Sequence, residues 1–364
     1  MIDRATVSFS LLRLIPVVIA MSLALAACGP TLKQVTLPEE AVKAERERQF
    51  ELALAMMTKR HDRLQTVALP LLIAATPLCE DDAEPLYGIE LHDKVFYREK
   101  LGEAFEQAAV KQYGLGDGVY VRYVHPTLPA GLSGLSVGDR VHAIDDVPLD
   151  HKQAIEAMRI LRDRNRAGDP PLSLTIERKG QRMTLTIPTV RACRYPVILV
   201  NEDAVNAYAD GSKVGITKGM IRFAERDEEL ALVVGHEIAH NTLGHLRKRV
   251  GPALLGTIAD LAIAIVTGVR TGIFQEVGGR VFSQAFEAEA DYAGLYLVAR
   301  AGYDITGSAQ FWRRMAVEHP GSIQGAFLTT HPSAPERFLA IERTSREIEE
   351  KRRQGLPLIP ERRP

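Results

Sequence analysis

Residues 227–249 read DEELALVVGHEIAHNTLGHLRKR, and the organisation of the chain follows from them. Asp227 stands where a helix N-cap belongs. Glu228 and Glu229 follow in the first turn, where the helix dipole favours acids, and Lys248 and Arg249 precede a Gly251-Pro252 stop. Leu230 to Val234 is apolar on nearly all sides, so the pattern predicts a helix buried in a core. Into it are set His236, Glu237 and His240. At i and i+4 the two imidazoles share one face with Cβ atoms about 5–6 Å apart, close enough for two ring nitrogens to meet one zinc ion. Glu237, rotated by about 100° from His236, can reach a water beside that ion without being a ligand. Polar groups on an otherwise apolar helix are costly unless compensated, which weighs against a plain core histidine pair.

Two histidines leave one protein ligand to find. The metzincin pattern would need a histidine six residues past His240, where Leu246 stands. His245 lies five residues on, about 140° round a continuous helix, and reads as a surface or packing histidine. The stronger candidate is FEAEAD, Phe286 to Asp291. Its Glu287 and Asp291 are i, i+4 on a predicted helix, the first able to ligate zinc and the second to orient a ligand histidine. Glu289 points to another face and reads as a surface charge. His331, held extended by Pro332, reads as an oxyanion donor, a replaceable fourth ligand or a structural histidine. Arg337 reads as a structural ion-pair partner ahead of an oxyanion donor.

These stretches resemble the M48 peptidases, the Ste24/HtpX/BepA-like gluzincins. The likeness is carried by NEDAVNAYADGSKVGITKGMI from Asn201, ELALVVGHEIAH from Glu229, FEAEADYAGLYLVARAGYD from Phe286 and THPSAPER from Thr330. It implies a zinc endopeptidase with one Zn2+ per chain, held by His236, His240 and Glu287. Glu237 would be the general base activating a zinc-bound water, Asp291 would stand behind a ligand, and His331 would join the catalytic set. The implied substrates are polypeptides, unfolded or misassembled proteins of the cell envelope. The glycine-punctuated segment Asp210 to Met220 reads as a hairpin able to hold substrate extended. The alternative is a catalytically idle envelope chaperone or binding protein that retains zinc as a structural ion.

Upstream, residues 84–190 change to short β-rich runs separated by glycine and proline. Gly118 to Val124 alternates with period 2, Ala154 to Arg164 has helical spacing, and Leu172–Ile176 with Met183–Ile187 frames a hairpin. PTLPAGLSGLSVGDRVHAIDDVPL, from Pro126, resembles the matching run of bacterial protease-associated PDZ domains. That likeness implies a small β-barrel whose groove takes a C-terminal or extended peptide by strand addition, with Tyr113-Gly114-Leu115-Gly116 as a candidate carboxylate nest.

The N-terminus carries Arg4 and Arg13, an apolar run from Leu14, and Leu25-Ala26-Ala27-Cys28-Gly29. These are signal-peptide features, and the last five residues resemble the lipobox of bacterial lipoproteins. The expectation is a chain on the periplasmic side of the envelope, tethered to membrane through lipidated Cys28, with Gly29 pointing to the outer membrane. Cys79 and Cys193 would then be free to pair in an oxidising compartment. Forty-five basic against 46 acidic residues leave a formal net charge of −1, so no global field draws nucleic acid. The apolar run 253–269 is short for a membrane span; it reads as membrane contact or an interhelical hairpin over the active site, with a core helix as the default.

The expected fold is multi-domain α+β, a PDZ-like small β-barrel beside a mainly helical zincin domain. The expected divisions are a signal peptide (1–27), a linker with an amphipathic helix (28–83), the PDZ-like module (84–190), the peptidase domain (195–345) and a mobile basic tail (346–364).

Overall fold

The computed structural model describes residues 32, 35–79, 82–164, 170–250, 284–318 and 335–362. The signal segment 1–27, Cys28, the run 253–269 and His331 lie outside these. Two compact units divide the chain at Gln49/Phe50. The described part of the first is essentially the opening of helix α1 (Glu39–Ala74), whose first turn carries Glu39 and Glu40; everything below belongs to the second. Among the described residues no helix is long and apolar enough to cross a membrane.

From Leu64 onward α1 is buried, with Val67, Ala68, Leu71 and Leu72 fully or nearly enclosed. It runs on to Ala74 through Pro70. Proline has no N–H to offer the carbonyl four residues back, so the Thr66 carbonyl accepts from elsewhere: His125 Nε2 donates at 3.0 Å and the Tyr303 hydroxyl at 3.4 Å.

The middle of the chain runs β1 (Ala83–Leu86), β2 (Ile89–His92), α2 (Lys94–Leu101), α3 (Glu103–Tyr113), β3 (Val119–Val124), α4 (Pro129–Leu132), β4 (Arg140–Ile144), β5 (Val147–Pro148), α5 (Ala154–Arg162), β6 (Leu172–Arg178), β7 (Gln181–Ile187) and β8 (Val190–Cys193). Five strands form an antiparallel sheet in the order β2-β3-β4-β6-β7, with β5 on β4. Alternate residues Val119, Val121, Val141, Leu172, Leu174 and Ile176 point into a core closed by Ala157 and Leu161 of α5. Among the described residues β2 and β7 do not pair, so the sheet path is open. In the segment Tyr113–Gly116, Gly114 at φ +64° is the left-handed C-cap of α3, its N–H donating to the Val110 carbonyl. Strand β1 pairs with β8, outside the main sheet, and Cys79 is disulfide-bonded to Cys193 with Cα atoms 5.8 Å apart.

The remainder is mainly helical: β9 (Val197–Val200), β10 (Ala207–Ala209), β11 (Val214–Thr217), α6 (Lys218–Phe223), α7 (Asp227–Thr242), α8 (His245–Val250), α9 (Gln284–Arg300), α10 (Ser308–Glu318) and α11 (Pro335–Arg353). β10 and β11 make a hairpin over Ala207–Thr217, beginning before the expected Asp210–Met220 segment because Lys218–Met220 open α6, and β11 also pairs in parallel with β9. The N-cap of α7 is Arg226 rather than Asp227, and the backbone N–H groups of Glu225 and Arg226 donate to Glu229. α11 passes straight through Arg346, where the sequence suggested a tail; Ile348 is buried on its inner face.

Candidate metal centre

The apolar helices α7 and α9 pack so closely that side chains must be absent at the crossing. A Cβ on Gly294 would lie 2.9 Å from the His236 nitrogen, and one on Gly235 would lie 3.0 Å from Val298 Cγ2. Glycine on both helices therefore brings the His236 turn of α7 against the first turns of α9, where Glu287 and Asp291 stand.

His236 Nε2 and His240 Nε2 are 3.1 Å apart. Glu287 completes the triangle, Oε2 at 3.5 Å from the first nitrogen and Oε1 at 3.4 Å from the second. All three side chains are buried. Ligand atoms at about 2.0–2.1 Å from a tetrahedral zinc ion lie roughly 3.3 Å from one another, so this donor set has the spacing such an ion requires. The electrostatics agree. Burial works against a charged imidazole, yet hydrogen bonding and charge from Asp291 and Glu287 outweigh it and carry His236 up to about 10. The cluster favours positive charge where the nitrogens converge.

Each candidate ligand is held from behind. His236 Nδ1 faces Asp291 Oδ1 at 3.0 Å. Arg337 clamps the carboxylates: Nε and Nη2 donate to Asp291 at 2.7 and 2.8 Å, and Nη1 reaches Glu287 Oε2 at 3.1 Å. Burial alone would raise the Asp291 carboxyl, but the Arg337 charge and hydrogen bonds hold it below its usual range. His240 Nδ1 meets His245 Nδ1 at 2.9 Å, and His245 Nε2 meets Glu289 Oε2 at 3.1 Å. Glu237 is buried on α7, close enough for its charge to act on Arg337. Trp312, the only tryptophan of the chain, lies 5.5 Å from the His236 ring and beneath Arg337.

The structure thus gathers His236, His240, Glu287 and Asp291 as a group and gives Arg337 an ion-pair role. His245 and Glu289, read from sequence as packing and surface residues, belong to the cluster. The missed signal was Gly244: at φ +63° it ends α7 and turns the chain, so His245 opens a new helix and folds back on His240.

Peptidase family M48 matches residues 173–345. The chain carries an M48 peptidase domain. The match starts inside β6, a strand of the middle sheet, and ends at Ser345 within α11. The beta-barrel assembly-enhancing protease of Escherichia coli is 30% identical over 193 residues, 48% of this chain and 39% of that protein. The mitochondrial metalloendopeptidase OMA1 of Schizosaccharomyces pombe is 28% identical over 220 residues, 57% of this chain and 65% of that protein. The chain spans less than two thirds of the length of these curated relatives. Among solved structures, the HtrA3 PDZ domain bound to a phage-derived ligand covers 30% of this chain and 88% of that chain at 15% identity, with a TM-score of 0.21, too low to establish a shared fold.

Proposed function

We propose that this chain is a zinc-dependent endopeptidase acting on unfolded or misassembled proteins of the cell envelope. The observation that carries the reading is the buried triangle of His236 Nε2, His240 Nε2 and the Glu287 carboxylate, each donor 3.1–3.5 Å from the next. His236, His240 and Glu287 would hold the ion. When bound, it supplies Lewis acidity that polarises a peptide carbonyl and makes water nucleophilic near neutral pH.

The chain's own groups do the rest. Glu237, one residue past His236, accepts the proton of the attacking water and returns it to the departing amine nitrogen. Asp291 and Arg337 fix the orientation of His236 and Glu287 throughout. β10 is an edge strand of its three-stranded sheet, and its turn is tied to α7 beside His240, Asn241 accepting from the Gly211 N–H and donating to the Lys213 carbonyl. An extended substrate paired to that edge is read by its backbone, which favours unfolded segments.

In the same reading the middle module is PDZ-like and takes a C-terminal or extended peptide. Its end strand β2 lies beside α5, the arrangement strand addition uses. A periplasmic, lipid-anchored location through Cys28 rests on the N-terminal sequence, and the Cys79–Cys193 disulfide suits an oxidising compartment. The relatives named as proteases count against an idle binding protein.

The test is casein cleavage by purified wild type, with and without chelator, beside Glu237→Gln. Wild type cleaves; chelation and the substitution each abolish turnover while Glu237→Gln still binds zinc. Equal cleavage by wild type and variant would remove the peptidase reading.

A further inference from the structure

Asp291 backs one histidine of the triangle, and the chain supplies the other with a support of different chemistry. We infer that His245 and Glu289 form a positioning relay that locks His240 in its metal-ligating tautomer. The inference rests on the metal reading of this site.

The tautomers along the relay follow from the contacts. His240 presents Nε2 to the other donors, so as a ligand it carries its proton on Nδ1. That Nδ1–H points at His245 Nδ1, 2.9 Å away, which must accept and therefore carries its own proton on Nε2. The His245 Nε2–H points in turn at Glu289 Oε2, 3.1 Å away, and a carboxylate is the acceptor it needs. Every donor meets an acceptor, and only one arrangement of protons on the two neutral rings permits this while leaving His240 Nε2 with its lone pair toward His236 and Glu287.

The ring is fixed sterically as well. His245 is fully buried and stacks on Phe286 with centroids 4.7 Å apart and planes 24° apart. Phe286 is the neighbour of Glu287, so α9 supplies a ligand, the stacking ring and the relay carboxylate within four residues. The left-handed turn at Gly244 then places His245 under His240, where a continuous α7 would have carried it away. Partners behind a ligating histidine fix its tautomer and raise its basicity, and their loss weakens metal binding about 10–100-fold.

Zinc affinity separates this role from a merely structural one. Chelator-competition titration, followed through Trp312 fluorescence, should give His245→Ala a zinc Kd about 10–100-fold above wild type. Glu289→Ala leaves the buried ring in place, removes only its acceptor and should raise Kd by about tenfold. Glu289→Gln, which keeps an acceptor oxygen, should restore most of the affinity. Thermal melts of the metal-free proteins record any change in fold separately. If His245→Ala does not fold, Glu289→Ala decides. Folded variants whose zinc Kd stays within about twofold of wild type would overturn the relay, whereas a wild type that binds no zinc would overturn the metal reading itself.

Discussion

Arg337 shows how much of the site depends on one side chain. It is buried, it is shared by two buried carboxylates, and both charges would be left without their guanidinium if it were removed. Breaking a buried ion pair from one side costs about 3–5 kcal/mol. Urea unfolding with chelator present, so that no metal contributes, should show a loss of that order for Arg337→Ala. Arg337→Lys should recover only part, because an ammonium cannot reproduce the fork that grips Asp291. A loss under about 1 kcal/mol would mean that solvent already screens the cluster. Sequence spacing exposed the site's apolar helix and its HEIAH face, since a helical period needs no tertiary information. It did not expose the His240–His245 contact: the 140° separation assumed an unbroken helix, and one left-handed glycine made that assumption fail.

At the scale of elements, the pairing of α1 with β2 and β3 depends on a charge network that no local pattern announces. Arg122 of β3 donates through Nε to Glu90 of β2 at 3.0 Å and through Nη1 to Asp62 of α1 at 2.6 Å; His61 of α1 meets Glu90 at 2.8 Å. Arg122 and Glu90 alternate with the core residues of their strands, and the docked helix makes the face they share half-buried, so the network was invisible in the sequence. Burial alone would raise the Glu90 carboxyl; the hydrogen bond from His61 and the charge of Arg122 more than reverse it, down to about 2. A carboxyl depressed on folding adds stability that is complete above its unfolded value, about 4.3, and is lost as pH falls through that value toward 2. The contribution is up to roughly 3 kcal/mol. Urea midpoints of wild type should therefore fall steeply between about pH 5 and 2, and Glu90→Gln should flatten that limb while lowering the plateau at neutral pH. Parallel acid limbs in the two proteins would show that Glu90 is not the group responsible.

For the whole molecule, the decisive covalent feature is the Cys79–Cys193 bridge, whose 114-residue separation encloses the entire middle sheet. Both cysteines are buried in the core that includes Leu71, Tyr195 and the apolar face of α7, whereas the sheet has a separate core of its own. The bond therefore fastens the entry and exit of one module to the core of another, where the four-residue ladder of β1 with β8, the Arg194 N–H on the Asp82 carbonyl and the Arg191 guanidinium on the Ala83 carbonyl also join the two passages. Closing a loop of this length in the unfolded chain is worth about 4–5 kcal/mol. Being buried, the bridge is better removed by substitution than by reductant. The Cys79→Ala/Cys193→Ala protein should melt lower by on the order of 10 °C. Hydrogen exchange should quicken first along Ala83–Leu86 and Val190–Cys193, because that short ladder loses its covalent clamp, while β3, β4 and β6 keep their protection from the core they already share. Uniform acceleration across the middle sheet would contradict this, since it would mean that the module's core forms only when its ends are tied; an unchanged melting temperature would mean that the ladder and the core around it already hold the ends together.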